Sequence, residues 1–301
     1  MSQRRSRYLI IHNPNAGRRR RGRLMQVVGE LARLGVSVEI AATERAGHAT
    51  EIARASSGFD AVVAAGGDGT INEVANGMDD RPLGLIPMGT ANVLAAELGY
   101  PASPAEIAQV LAAGSTMDVL PGRIDGQRFV QMASAGFDAR VVAALNLGLK
   151  RRLGKLAYGV AGLIQLASGK RAPLKAVIDG VAFEAAQIII VNGRYYGGVF
   201  NVAPDARLDR PGLHVCLFSR GDTMAVIAGV LAIALGRLEH YSGVRRLPAK
   251  QILIEGAPGE PFQLDGEAAG TLPVRITLDS NPLRLIIPNR DTIYPSYGNG
   301  P

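Results

Sequence analysis

The chain has no tryptophan and a single cysteine, Cys216. One thiol cannot build an internal disulfide framework or a cysteine-based zinc or iron–sulfur centre, and such sparing use of cysteine fits a reducing cytoplasm. The four histidines, His12, His48, His214 and His240, are scattered and none stands in an HExxH pair, so a zinc hydrolase of that kind is disfavoured. Long apolar runs are missing as well. The basic start Arg4-Arg5-Ser6-Arg7 leads only into Tyr8-Leu9-Ile10-Ile11 before the polar His12-Asn13-Pro14-Asn15, too little for the apolar core of a secretory signal. The longest uncharged helix-like stretch, Thr223 to Gly236, falls short of the roughly 20 residues that span a bilayer; it reads as a buried helix, with membrane contact as the minority reading. Aromatics are 5% of the chain and none lies between Lys150 and Lys155, so a nucleic-acid surface of interleaved basic and aromatic residues is not expected.

What is present is ample material for a core. Of 301 residues, 47% are hydrophobic and 20% charged, which excludes disorder, collagen and coiled coil and is enough for two domains. The net charge is +7, and 28 of the 33 basic residues are arginine, with every lysine at Lys150 or later. Nucleic acid, an anionic membrane surface and phosphate-bearing ligands are the three kinds of partner such a balance suggests.

The first 120 residues alternate strand and helix signals. Apolar runs at Tyr8–Ile11, Val36–Ala42, Ala61–Ala65 and Leu83–Ile86 lack polar alternation, as strands buried on both faces should. Helix-length stretches at Gly22–Leu34, Ala46–Ser56, Val93–Leu98 and Pro104–Ala113 separate or follow them. This order predicts right-handed βαβ units and an open parallel sheet, which binds ligands at the carboxyl ends of its strands. After Pro121, short strand candidates crowd together at Arg128–Ala133, Lys175–Asp179, Ala182–Asn192, Leu213–Ser219, Gln251–Glu255, Val274–Leu278 and Leu283–Ile287, with helices near Lys155–Leu166 and Thr223–Leu238. That pattern predicts an antiparallel β domain.

Three polar loops follow strands of the first half. In Gly66-Gly67-Asp68-Gly69-Thr70-Ile71-Asn72-Glu73, glycines would permit positive φ and a close approach of backbone N–H groups to phosphate, and Thr70 with Glu73 would form a T-x-x-E capping box. Asp68 would repel a phosphate unless a divalent metal lay between, which favours ATP with Mg²⁺ over a bare dinucleotide. The others are Pro87-Met88-Gly89-Thr90-Ala91-Asn92 and Asn13-Pro14-Asn15-Ala16-Gly17. A P-loop is excluded in this half, because no lysine precedes Lys150, and a protein kinase of the eukaryotic type fails for the same reason. Asn72 replaces the last glycine of a GxGxxG fingerprint, and no GxSxG elbow occurs.

The segments GGDGT-x-NE at Gly66–Glu73, PxGTxN at Pro87–Asn92 and NPxAG at Asn13–Gly17 resemble those of the diacylglycerol kinase catalytic family, bacterial lipid kinases related to sphingosine and ceramide kinases. The resemblance continues through Gly154–Tyr158, Ala203–Ala206 and Gln263-Leu264-Asp265-Gly266-Glu267. It implies an α/β nucleotide domain over residues 1–121, rejoined by 281–301, and a β-sandwich lipid-substrate domain over 122–280. It implies ATP in a cleft, contacted at Asn13, Pro14, Asn15, Ala16, Gly17, Thr43, Gly66, Gly67, Asp68, Gly69, Thr70, Ile71, Asn72, Glu73, Gly89, Thr90 and Asn92. Glu267 would be the proton acceptor, with Asp265 orienting it or touching metal-bound water. Asp68 is a metal candidate, Asp118 could match another of the family's acids, and Asp209 is what remains of a structural-metal loop in which Arg210 replaces an expected acid. Val93 stands where many members carry a further Asp.

The expected activity is transfer of a phosphoryl group from ATP, with Mg²⁺, to a diacylglycerol-like lipid. The expected setting is peripheral contact at the inner membrane face, without nucleic acid and with a homodimer left open. A kinase of NAD or another soluble alcohol, or a nucleotide-binding regulator with weak catalysis, are the alternatives. Arg18–Arg21 with Arg23 could extend phosphate binding, touch anionic headgroups or solvate a helix; Lys150-Arg151-Arg152 with Lys155 could dock on a membrane or simply start a helix.

Overall fold

The computed structural model describes residues 5–15, 21–144, 173–288 and 293. The chain divides into two units, residues 1–120 with 280–301, and residues 121–279.

In the first unit, strands and helices alternate as β1 (Arg7–His12), α1 (Arg21–Arg33), β2 (Ser37–Ala42), α2 (His48–Ala55), β3 (Ala61–Gly66), α3 (Asp68–Gly77), β4 (Leu83–Pro87), α4 (Val93–Glu97), α5 (Pro104–Ala113) and β5 (Ser115–Val119). The strand Leu283–Ile287 (β20) joins them, giving one sheet of order β2-β1-β3-β4-β20-β5. All its pairings are parallel except β20 with β5. The central strands β1, β3 and β4 are apolar and buried on both faces because helices cover the sheet, with Leu24, Val27 and Leu31 of α1 and Ile107 and Leu111 of α5 in the same core as Tyr8, Ile10, Val63 and Ile86. Strand β2 departs from expectation. As the edge strand it buries neither face fully, so its apolar run at Val36–Ala42 was a poor guide to burial.

The second unit runs β6 (Gly122–Ile124), β7 (Gln127–Phe129), β8 (Met132–Ala135), α6 (Phe137–Ala144), β9 (Leu174–Ile178), β10 (Val181–Ala185), β11 (Gln187–Val191), β12 (Tyr195–Tyr196), β13 (Phe200–Asn201), β14 (Leu213–Phe218), α7 (Thr223–Ala234), β15 (Val244–Ala249), β16 (Gln251–Glu255), β17 (Pro261–Leu264), β18 (Glu267–Thr271) and β19 (Val274–Leu278). Two six-stranded sheets form, β10-β9-β16-β19-β6-β7 and β15-β14-β11-β8-β17-β18, and their pairings are antiparallel. Residues of both, among them Ile178, Ile252 and Ile276 from one and Ala135, Ile190, Val215 and Phe262 from the other, share one apolar core, so the unit is a β-sandwich. The fold is thus an α/β parallel-sheet unit and a β-sandwich.

Two expected strands each split. Arg128–Ala133 breaks between β7 and β8 at Val130-Gln131, and Ala182–Asn192 breaks at Ala186, where the chain leaves one sheet for the other. The helix expected near Lys155–Leu166 lies outside the described residues. The stretch Thr223–Gly236 is helical but not buried. Helix α7 packs on the outer side of the β14–β11 sheet through one face only and buries just Gly229. Uniform apolarity carries no sign of which face meets solvent.

Candidate functional site

The carboxyl ends of β1 to β4 bring three of the expected loops together in the first unit. Asn13 follows β1, donates its backbone N–H to Ala65 O (3.1 Å) and reaches across with Nδ2 to Thr70 Oγ1 (3.3 Å). Its Oδ1 accepts the N–H of Asn15 (2.9 Å), closing an Asx turn that shapes the loop. Thr43, buried at the end of β2, donates its N–H to His12 O (2.8 Å). The strand β3 runs into α3, and Met88 after β4 donates to Gly66 O (2.8 Å). Ala16, Gly17 and the cluster Arg18–Arg20 lie outside the described residues, as do Lys150–Lys155; the described Arg23 donates to Ala102 O (2.8 Å).

The glycines of these loops act through contact rather than conformation. None of Gly66, Gly67, Gly69 and Gly89 has positive φ, contrary to expectation. A Cβ on Gly66 would lie 2.4 Å from Thr70 Oγ1, and one on Gly89 would lie 2.5 Å from the Gly67 Cα. The two loops therefore touch backbone to backbone, which no side chain permits. The capping box is also corrected. Helix α3 starts at Asp68 with Gly67 as its N-cap, so Thr70 is already inside the first turn and bonds Asn13. Glu73 turns away and accepts the Ala49 N–H at the start of α2 (3.3 Å), while Thr50 Oγ1 donates to Glu73 O (2.7 Å). The pair ties α2 to α3.

Asp68 is fixed by the second loop. Its Oδ1 accepts the Val93 N–H (2.7 Å) at the start of α4, where Asn92 takes the left-handed conformation at φ 49° and closes on Gly89 with both amide atoms (2.7 and 2.9 Å). Burial pushes the Asp68 carboxyl up, outweighing the N–H groups of Val93 and Asn92 that hold the anion. Val93, where the family pattern often has an acid, is itself buried and contributes its N–H.

In the second unit, Asp265 and Gly266 form the tight turn between β17 and β18, both with positive φ (47° and 83°). The Asp265 side chain is buried and accepts the N–H groups of Val130 (3.3 Å), Gln131 (3.2 Å) and Met132 (2.8 Å), which pins the turn to the β7–β8 break. Glu267 opens β18 across from Leu264 and is exposed. Sequence reasoning missed what lies behind this turn. Gln263 accepts the Gly266 N–H (2.8 Å) and donates to Ser134 Oγ (2.7 Å). Ser134 in turn donates to Asp138, which also receives Tyr196 Oη and Gln187 Nε2. Burial, then the adjacent Asp138, raises the Tyr196 hydroxyl well above its ordinary range, so it stays a donor. The sequence hint was an acid, Asp138, in the stretch from Phe129 to Ala144, whose other polar side chains are Gln131, Ser134 and Arg140.

The remaining metal candidates are engaged elsewhere. Asp118 stands exposed on β5 and pairs with Arg284 (3.1 Å), whereas Asp209 is buried against the fork of Arg207 (both contacts 2.9 Å). Among the described residues no group of three His, Cys, Asp or Glu side chains could hold a metal ion. The arginine within the Asp209 loop does not suit a structural cation.

The likeness to known proteins covers both units. Residues 7–124 match the diacylglycerol kinase catalytic domain, and residues 131–287 match the YegS C-terminal NAD kinase beta sandwich-like domain. The diacylglycerol kinase of Bacillus subtilis is 33% identical over 276 residues, 88% of this chain and 90% of that one. That of Staphylococcus aureus is 30% identical over 296 residues, 95% and 93% of the two. A crystal structure of a diacylglycerol kinase from Bacillus anthracis superposes with a TM-score of 0.78 at 26% identity, covering 97% of this chain and all of that one. With the glycine loops of the parallel sheet, the acid turn of the sandwich and relatives matched almost end to end, the chain belongs to the diacylglycerol kinase family.

Proposed function

We propose that the protein moves the γ-phosphoryl group of ATP, in the presence of Mg²⁺, onto the free hydroxyl of a diacylglycerol-like lipid at a membrane surface. The observation that carries the nucleotide half is the backbone contact of Gly67 with Gly89 beside the Asn13–Thr70 bond, which gathers three loops at the carboxyl ends of parallel strands. The backbone N–H groups at the start of α3, whose N-cap Gly67 offers no side-chain acceptor, are suited to phosphate oxygens without any lysine. Asp68 fits a hard cation shared with phosphates, since Mg²⁺ usually takes one or two carboxylates and draws its other ligands from water and substrate. When bound there, the ion would offset phosphate charge.

Glu267 is the proton acceptor in this reading. As the lipid oxygen forms its bond to the γ-phosphorus and the bond to the ADP oxygen breaks, the hydroxyl proton passes to the Glu267 carboxylate. Asp265 and Gln263 hold the turn that presents Glu267 and do not themselves receive the proton.

The test is ADP release from ATP with Mg²⁺ in the presence of mixed micelles carrying diacylglycerol, of NAD, or of neither. Stimulation by the lipid, abolished by a chelator and restored by Mg²⁺, is expected. Stimulation by NAD alone would replace the lipid reading, and no turnover under any condition would favour a nucleotide-binding regulator. Glu267→Gln should lower turnover by a factor of roughly 10² or more; full activity in that variant would remove Glu267 from the role.

A further inference from the structure

Five of the eleven exposed large hydrophobic side chains among the described residues belong to α7 and its C-cap: Met224, Ile227, Val230, Leu231 and Leu235. Met224, Ile227, Leu231 and Leu235 recur at three- and four-residue steps and so form a stripe on one side of the helix. The opposite side, with Ala225, Val226, Gly229, Ala232 and Ile233, is the part turned to the protein, and Gly229 approaches the Phe218 ring to within side-chain contact distance. No charged residue occurs from Thr223 to Gly236. Leu231 is 53% exposed and Leu235 is 68% exposed, values ordinary for a charged surface residue rather than a leucine.

The helix is built to hold this face outward. Asp222 caps its start by accepting the Ala225 N–H (3.0 Å), and Gly236 at φ 64° ends it, with the Arg237 N–H donating back to Ala232 O (2.8 Å). Tyr241 Oη fastens its first turn through Ala225 O (3.1 Å). Twelve residues give a helix of about 18 Å, well short of the bilayer core of about 30 Å. In keeping with this, no helix among the described residues is long and apolar enough to cross a membrane.

We infer that the outward face of α7 is a membrane-docking surface that lies in the headgroup–acyl boundary of an anionic bilayer. The inference rests on the lipid-kinase reading and adds the element that would hold the enzyme on its substrate's surface. Charge complementarity selects this occupant. Arg237 is exposed at the carboxyl end of the helix. Arg246 is exposed on β15 opposite Cys216, on the side of the sheet that α7 covers. Nearby acids are few: Asp222 is offset by Arg220 (2.9 Å), Glu239 sits beside His240 (3.3 Å), and Asp205 is close enough to His214 to act on its charge. A second copy seated by a two-fold would set this arginine-flanked face against itself, whereas anionic headgroups match both the flanks and the net charge of +7.

The test uses the full chain and sedimentation with vesicles of phosphatidylcholine, with and without phosphatidylglycerol. Ile227→Gln/Leu231→Gln should lower partition onto phosphatidylglycerol vesicles by roughly tenfold or more, while turnover of a short-chain diacylglycerol dissolved as monomers is retained. Unchanged partition overturns the proposal. So does a variant that falls from dimer to monomer while its vesicle partition persists, since the face would then be a subunit contact. If the double variant does not fold, Leu231→Trp decides alone, because it would be the sole tryptophan of the chain. Its emission should shift to the blue on phosphatidylglycerol vesicles and be quenched by brominated acyl chains; neither response would refute docking through α7. A wild-type protein that turns over no lipid would sink the kinase reading, and the partition result would stand apart from it.

Discussion

Asp68 answers to two opposed demands. Burial raises its carboxyl above the ordinary value of 3.8, so the ionised form costs the fold stability. Because the folded value lies above the unfolded one, that cost is complete above the folded pKa and fades as the pH falls below it. Asp68→Asn keeps an acceptor for the Val93 N–H without the buried charge. Chemical denaturation at pH 7 should therefore show a fold at least as stable, while turnover drops by roughly 10² or more through loss of the proposed cation ligand. A variant that is both active and less stable would contradict this account. Gly89 makes the complementary case, because it is limited by space. The Cβ of Gly89→Ala would meet the Gly67 Cα at 2.5 Å and Asn92 Oδ1 at 2.8 Å. Prising these loops apart should cost about 1–3 kcal/mol in urea unfolding and raise KM for ATP more than it lowers kcat. Cys216 is the counterexample of a chemically suggestive residue with nothing to do: burial pushes its thiol up to about 12, so it stays protonated between its sheet and α7.

Among the elements, the β17–β18 hairpin shows how an exposed acid can be positioned. Among the described residues no hydrogen bond or ion pair fixes the exposed Glu267 side chain; the turn below is held by Asp265 on three backbone N–H groups and by Gln263, whose amide joins Gly266 to Ser134. Gln263→Leu leaves the Gly266 N–H and Ser134 without that partner. It should lower kcat for lipid phosphorylation several-fold while KM for ATP stays unchanged, and lower stability by about 1–3 kcal/mol. A change in KM for ATP without one in kcat would count against a positioning role. The hairpin also marks what the amino-acid order could reveal. Asp-Gly between apolar runs names the turn, and Gly66–Thr70 between a buried strand and a helix names the loop, because both depend on local backbone demands. The destination of Glu73 could not be read, since its partner, Ala49, lies 24 residues away. The Asp138 network was hidden for the same reason, with Gln263, Ser134 and Tyr196 drawn from three separate strands. The exposure of β2 and of α7 was misread because apolar composition reports burial only when a partner layer exists.

At the scale of the whole molecule, the path of the chain binds its two units into one folding problem. Strand β20 is inserted between β4 and β5, and its pairing with β5 is the only one that β5 makes among the described residues. The first unit therefore cannot complete its sheet until the sandwich segment has been synthesised. Leu283, Leu285, Ile286 and Ile287 are all buried, and Tyr100 Oη donates to Ile286 O (2.6 Å). Each such side chain contributes about 1.5–3 kcal/mol, so losing four rivals the roughly 5–15 kcal/mol that holds a whole domain together. Deleting residues 280–301 should then abolish nucleotide binding in the first unit even though every loop residue from Asn13 to Asn92 remains. Limited proteolysis should cut β5 and α5 first, since the strand has lost its neighbour and Tyr100 its acceptor. The core of the sandwich, drawn from residues 124–276, should keep its protease resistance. A truncated chain that binds a fluorescent ATP analogue with unchanged affinity would show that the sheet closes without β20, and that the returning strand is not what completes the nucleotide unit.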